Sequence, residues 1–377
     1  MFETSVTKAK DNGDQSCAPR DQPDSIEPVD PGHRLGLICE TLAPDATGAT
    51  PNLSSLPGVP LLRVCHRPEA GLQRDHATGA MCVALPMAPL PSIQGYSGAT
   101  DVWSLRLPAG RPARSSARAM ECGPVQALRA GDVLAGAALF DSDPLGPSVT
   151  ATYRALLDLL REEDMHLVRV WNAVPDINQV LREDGKTIDR YMVFCRARSL
   201  AMKAELGQDF PTHLSAASAV GATGNRGIVL FLAARTPGTR ISNPRQEEAW
   251  RYPERYGPCS PSFARATRLG PELGGQLLVS GTASIIGCES LHPGDPLAQL
   301  DETLANLEAL LREASTANPE EPLRDLSQLR VFVKHPEHLA QFQERLMPRL
   351  AAGASVHWVK APICRDELLI EIEGLAR

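Results

Sequence analysis

One run of elements is written twice into this 377-residue chain, and the repetition limits the folds open to it. Arg169-Val170-Trp171-Asn172-Ala173-Val174-Pro175 and Arg330-Val331-Phe332-Val333-Lys334-His335-Pro336 share the pattern R-V-aromatic-x-x-x-P. Each heptapeptide follows apolar residues at three-to-four spacing, which predicts a helix: Tyr153, Leu156, Leu157 and Leu160 in one copy, Leu300, Leu304, Leu307, Leu310 and Leu311 in the other. Each of those helices follows an apolar strand, Val133–Phe140 or Gln276–Ile285. A second helical stretch comes next, around Tyr191–Leu206 and around Leu339–Leu350. Both copies close on two strands, Leu214–Val220 with Gly227–Ala234 and Val356–Lys360 with Leu368–Gly374. The order strand–helix–strand–helix–strand–strand thus occurs twice. It predicts an α/β (α+β) protein of two equivalent modules, about 124–235 and 260–377.

The front of the chain is written differently. Of 32 prolines, 17 fall in the first 147 residues. Residues 1–34 carry no periodic apolar pattern and read as a disordered or loosely attached tail. Residues 35–123 alternate short apolar runs (Leu61–Val64, Met81–Leu85) with proline and glycine, which predicts short strands and loops packed on the first module. A hydrophobic content of 43% suits a globular chain of two to three domains. The net charge of −7 argues against a nucleic-acid partner, and no run approaches the ~18 apolar residues that span a bilayer. Nine scattered cysteines without a CxxC pair, and no charged-then-apolar leader, suggest free thiols in a reducing cytoplasm.

Two local features carry chemistry. Between Arg235 and Arg268 lie seven arginines, no lysine and three acids, a +4 stretch around a connector at 236–259. Trp250, Tyr252, Tyr256 and Phe263 lie there too. Arginine without lysine suits planar recognition of carboxylates, and the alternative is a solvated loop paired with acidic surface. The last strand reads Leu368-Leu369-Ile370-Glu371-Ile372-Glu373-Gly374, and its alternation puts both glutamates on one face. On a buried strand such a carboxyl could stay protonated as a general acid; on an edge strand both would face water. Gly221–Gly227 reads as a hairpin turn. His335 and His338 lack further spaced ligands, so no metal site is expected.

Taken together, Gly281-Thr282-Ala283-Ser284-Ile285, the Gln299–Leu311 helix, Val331-Phe332-Val333-Lys334 and Ile370-Glu371-Ile372-Glu373-Gly374 resemble the RidA-like fold. Further stretches resemble the chorismatases and chorismate-derived hydroxybenzoate synthases: Trp171-Asn172 with Pro175, Ile177-Asn178, Arg190-Tyr191 with Phe194-Cys195, and Asn243-Pro244-Arg245-Gln246. Tyr252-Pro253, Tyr256-Gly257-Pro258, Ser260–Ala266 and Ser280–Ser284 extend that likeness over roughly residues 125–377, in the family's order. The resemblance implies two tandem RidA-like (chorismate-mutase-like) modules behind a proline-rich N-terminal extension. It also implies a cofactor-free, metal-free enzyme that splits chorismate into pyruvate and a hydroxybenzoate. The family's acid glutamate maps onto Glu371. The cysteine that goes with 3-hydroxybenzoate maps onto Cys364, and the small residue of the ring pocket maps onto Ala283. The long front half resembles the branch that makes both 3- and 4-hydroxybenzoate.

Chorismate is a dianion, so the residues expected to bind it are Arg251, Tyr252, Tyr256, Phe263, Arg265, Thr282 and Ala283. RidA-like modules usually form trimers with sites between subunits, and a duplicated chain implies a monomer or a low homo-oligomer. Two other readings stay open on the sequence. One is a RidA-type enamine or imine deaminase, with Arg365 near the position of that family's carboxylate-binding arginine. The other is a non-catalytic module that binds aromatic carboxylates.

Overall fold

The computed structural model describes residues 36–42, 59–67, 70–74, 80–90, 100–106, 117–183 and 185–377. The expected tail, residues 1–34, lies outside the described residues. Apolar runs between proline and glycine breaks make short strands in the front segment. They are β1 (Gly36–Leu42), β2 (Val59–Arg67), β3 (Gly71–Arg74), β4 (Met81–Pro86), the two-residue β5 (Ala88–Pro89) and β6 (Thr100–Arg106). Five of them form a sheet in the order β1-β6-β2-β4-β3.

The next sheet contains β7 (Ala117–Cys122), β8 (Val125–Ala130), β9 (Val133–Asp141), β10 (His166–Pro175), β13 (Ala216–Ala222) and β14 (Arg226–Ala234). Helix α1 (Leu145–Glu162) follows β9, and a hairpin of β11 (Val180–Glu183) and β12 (Lys186–Asp189) leads from β10 into α2 (Arg190–Leu206). The strands lie in the order β13-β10-β14-β9-β8-β7. A third sheet takes β15 (Thr239–Ile241), β16 (Ala266–Arg268), β17 (Leu277–Thr282), β20 (Leu326–Val333), β21 (Ser355–Lys360) and β22 (Ile370–Ala376). The pair β18 (Ile285–Ile286) and β19 (Glu289–Ser290) precedes α3 (Pro296–Glu313), and α4 (Leu339–Leu346) joins β20 to β21. Its order is β15-β16-β17-β22-β20-β21, with β5 added at the edge of β21.

Read from β21 to β15, the third sheet has the same strand succession as the second. Each R-V-aromatic heptapeptide begins on the strand that makes a parallel pair, β10 with β13 and β20 with β21. A parallel pair requires a crossover connection, and α2 and α4 provide it. The expected hairpin at Gly221–Gly227 is a turn, but its two strands do not pair. β10 lies between them, parallel to β13 and antiparallel to β14, with a register shift in the β14 pairing between Leu167 and Arg169.

The helices cover the outer faces of the two sheets. Asp295 caps α3 by accepting a hydrogen bond from the Ala298 amide at 3.0 Å, with Pro296 in the first turn. Its Leu300, Leu304, Leu307 and Leu311 make one stripe that buries against the third sheet. α1 does the same on the second sheet through Val149, Tyr153, Leu156 and Leu160. The inner faces meet around Trp171, Leu230, Leu232, Leu278 and Phe332, joined by Leu61, Val64, Val83 and Leu85 of the front segment. That segment therefore touches both sheets, packing into the shared core and pairing β5 with β21. Among the described residues no helix is long and apolar enough to cross a membrane.

Candidate active site

β22 is an interior strand, hydrogen-bonded to β17 on one side and β20 on the other. Alternation then assigns its faces. Ile370 and Ile372 join the helix-covered core, and Glu371 and Glu373 point inward toward the second sheet. The edge-strand alternative, with both glutamates in water, does not hold: they are 4% and 3% exposed.

The two buried carboxyls meet different surroundings. Glu373 accepts from Arg169 Nη2 at 2.6 Å and from Arg330 Nη1 at 2.5 Å, so two guanidinium groups compensate its desolvation. Arg169 comes from β10 and Arg330 from β20, so the Arg169–Glu373 pair ties the second sheet to the third while the Arg330–Glu373 pair lies within the third. No salt bridge or hydrogen bond reaches the Glu371 carboxyl among the described residues. Burial, and after it the adjacent Glu373 charge, push Glu371 up to about 8, against the opposing pull of Arg169. Two carboxyls on one strand face are thereby split into an ion-paired anchor and a neutral acid.

Gly281 gives Glu371 its space. A side-chain carbon at that position would overlap Glu371 Oε1 and stand 3.2 Å from Ser218 Oγ. The Gly281 amide instead donates to Ser218 Oγ at 2.9 Å, and Arg169 Nη2 donates to the same oxygen at 2.7 Å.

Glu371 faces a cavity of two adjoining chambers. The outer, about 600 Å³, is lined by Tyr252, Tyr256, Phe263, Arg265, Ala283 and Arg365 among others. The inner, about 410 Å³, runs back under α2 past Tyr191, Cys195, Arg198, Ser218 and Ser262. Glu371, Cys364, Gly281 and Phe263 line both.

In the outer chamber Arg265, 5% exposed, donates through Nη2 to Tyr252 Oη at 2.7 Å and to the Glu247 carbonyl. Its guanidinium also lies over the Phe263 ring, and its Nε is buried without a partner. Arg365 lies 3.9 Å over the Tyr256 ring while bonding the Cys288 carbonyl and Ser290 Oγ. Tyr256 Oη donates to Glu289 at 2.7 Å. Cys364 stands between the chambers. Burial, with the Glu371 carboxyl adding to it, raises its thiol well above the ordinary value, so the sulfur is a neutral, soft wall and not a thiolate nucleophile.

Seven of the residues expected from sequence therefore meet here: Glu371, Cys364, Tyr252, Tyr256, Phe263, Arg265 and Ala283. Arg251 does not, because its side chain is exposed and stacked on Trp250 at 4.5 Å. Thr282 is buried beside the site, but its hydroxyl donates to the Ser280 carbonyl and it lines neither chamber. Of the seven arginines in the +4 stretch, three are ion-paired, and Arg240 and Arg268 bond backbone carbonyls. Arg235 pairs with Asp132 and Asp164, Arg245 with Glu302 and Arg255 with Glu289, and Arg265 alone of the seven arginines lines the cavity. Sequence reasoning missed Asp189, Tyr191 and Arg198. Tyr191, Cys195 and Arg198 recur at helical spacing on one face of α2, and that is the signal that could have found them.

A neutral carboxylic acid in an arginine-lined cavity between two α/β layers equips an enzyme to protonate an anionic small molecule. The family model described as chorismatase FkbO/Hyg5-like, N-terminal, matches residues 112–233. The 3-hydroxybenzoate synthase of Streptomyces hygroscopicus is 35% identical over 238 residues, 60% of this chain and 68% of that protein. A chorismatase of Streptomyces rapamycinicus is 36% identical over 234 residues, again 60% and 68%. The crystal structure of a chorismatase superposes with a TM-score of 0.76 at 28% identity, covering 91% of this chain and 99% of that one. The chain belongs to the chorismatase family.

Proposed function

We propose that the protein cleaves chorismate, releasing pyruvate and forming 3-hydroxybenzoate together with 4-hydroxybenzoate. The observation that carries this reading is Glu371, a buried carboxyl held neutral near pH 7 and facing a two-chamber cavity with Arg265 and Arg365 in the outer chamber and Arg198 in the inner.

Glu371 protonates the methylene carbon of the enolpyruvyl ether and leaves an oxocarbenium ion. The bond between the ring carbon and the ether oxygen then breaks, its electron pair becoming the keto oxygen of pyruvate. Attack on that carbon by the neighbouring ring hydroxyl forms an epoxide-like intermediate and releases the hydroxyl proton. The bond from the oxygen to its original carbon then breaks, and the oxygen regains a proton. Loss of the hydrogen from the carbon that now bears it, to the Glu371 carboxylate, gives 3-hydroxybenzoate. Elimination across the ring without that attack gives 4-hydroxybenzoate. Atoms balance without water, and the substrate brings its own leaving group, so positioning supplies much of the rate. Tyr256, Ala283 and Cys364 shape the ring site, and Arg265 with Tyr252 offers the unpartnered Nε–H to a carboxylate.

The equal strand order of the two helix-covered sheets supports a chain of two RidA-like units, about 124–235 and 260–377. In that reading the second unit supplies the acid and the first supplies α2. The test is pyruvate release from chorismate, with chromatography of the aromatic product and a parallel ammonia assay on an imino acid. Glu371→Gln is expected to bind chorismate and release about a hundred- to ten-thousandfold less pyruvate per unit time, as loss of a general acid does. Undiminished turnover in that variant would overturn the mechanism.

A further inference from the structure

The loop that carries Cys364 belongs to one layer and is gripped by the other. It runs from Ala361 to Leu369, between β21 and β22 of the third sheet. Its two ends are fixed within that layer. The Ala361 amide donates to the Val333 carbonyl at 3.2 Å, and the Lys334 amide donates to the Leu369 carbonyl at 3.0 Å. Its middle is held from the side of the second sheet. The Gly221 amide, near the end of β13, donates to the Pro362 carbonyl at 2.7 Å, and Asn178 Nδ2 donates to the Ile363 carbonyl at 2.9 Å. Those carbonyls belong to the two peptide planes that lead into Cys364, so the two donors fix the direction in which its side chain leaves the backbone.

Both donors are themselves held in place. A side-chain carbon at Gly221 would stand 2.7–2.8 Å from three atoms of the Pro362 ring, so glycine is what lets the strand come this close. Asn178 sits in the turn after β10. The Gln179 amide closes that turn on the Asp176 carbonyl at 2.8 Å, and Ile177 is fully buried. The Ile177 and Gln179 carbonyls accept from the Tyr191 and Arg190 amides at the start of α2. One turn therefore grips both the Cys364 loop and the helix that brings Tyr191 and Cys195 to the inner chamber. Cys364 lines both chambers beside Glu371, whereas Asn178 and Gly221 line neither.

We propose that Asn178 and Gly221 are positioning residues for Cys364. Acting across the two layers, they set where its sulfur stands against the ring and so the ratio of 3- to 4-hydroxybenzoate. This rests on the reading of the reaction given above. Two competing routes from one cation diverge by little free energy, and the contact of one neutral hydrogen bond is enough to move their ratio severalfold.

The test uses the full chain with chorismate, and the aromatic products are separated by chromatography. Asn178→Leu removes the donor and keeps the size. It is expected to shift the product ratio about two- to tenfold, the range for one neutral hydrogen bond. Total pyruvate release should stay within about twofold of wild type, and the basic limb of its pH profile should not move. If the wild type makes one isomer alone, appearance of the other is the shift. Asn178→Gln, which returns a donor on a longer arm, should recover part of the wild-type ratio. In a Cys364→Ala background the Asn178→Leu shift should vanish, because Asn178 acts through the sulfur. An unchanged ratio in Asn178→Leu, or an undiminished shift in the Cys364→Ala background, overturns the proposal. Alkylation of Cys364 by iodoacetamide, read by peptide mass mapping, is independent of turnover. It should run about two- to tenfold faster in Asn178→Leu as the loop loosens, and an unchanged rate sinks the clamp. If Asn178→Leu does not fold, Gly221→Ala decides on the same readouts: a shifted ratio with faster alkylation supports the proposal, and no change in either removes it. A wild-type protein that releases no pyruvate from chorismate removes the function proposed above, while faster alkylation in the variant would still establish the clamp.

Discussion

Glu371 and Glu373 lie two residues apart on one strand face, and what separates them is the number of cations each can reach. Glu373 has Arg169 and Arg330 in direct contact; Glu371 has only the field of Arg169 and a like charge beside it. With its carboxyl pushed up to about 8, the protonated form dominates at pH 7. A reaction that needs the acid form keeps its full rate below that pH and loses it above. The kcat/KM profile of chorismate turnover is therefore expected to fall through an apparent pKa near 8 on the basic side. The limb in kcat should lie higher, because a bound dianion further opposes ionisation. Glu373→Gln removes the like charge, so its basic limb should move to lower pH; an unmoved limb would show that Glu373 does not act on Glu371. Cys364 belongs to the same scale. Its neutral thiol fills space beside the ring site, and Cys364→Ala is expected to change the ratio of 3- to 4-hydroxybenzoate more than total pyruvate, read by chromatography. An unchanged ratio would remove the sulfur from product control.

At the scale of elements, legibility followed local periodicity. α1, α3 and α4 each bury one stripe, and apolar spacing announces all three. α2 was less clean because it buries more than one side. Val193, Ala197 and Ala201 face the core, while Tyr191, Cys195 and Arg198 line the cavity. A helix packed on two sides loses the contrast on which a periodicity reading depends. The glycine turn at 221–227 was legible as a turn, but its partners were not. Whether two consecutive strands pair or flank a third is set by where β10 lies, far away in sequence. The same distance effect separates Arg251 from Arg265. Both are arginines of the one +4 stretch, and only the seat of Ala264 and Ala266 beside β13 and β17 turns Arg265 inward.

Across the whole molecule, the site is assembled by facing two sheets with their helices outward. α2 and β13 of the one and β17 and β22 of the other supply both chambers, so one chain provides every wall residue named above. Such a site needs no partner copy. Specific activity per chain is expected to stay constant over about a hundredfold dilution, whereas a site completed by a second subunit would lose activity as it dissociates. The amino-acid sequence by itself determined the repeated order of elements, the inward face shared by Glu371 and Glu373, and most of the residues around the acid. Each of these is written in periods of two or three to four residues along the chain. Only the tertiary structure decided which glutamate stays neutral, which arginine reaches the cavity, and that Arg198 lines the inner chamber. Desolvation and charge pairing depend on neighbours brought together from as far apart as Arg169 and Glu373, and no local pattern encodes them.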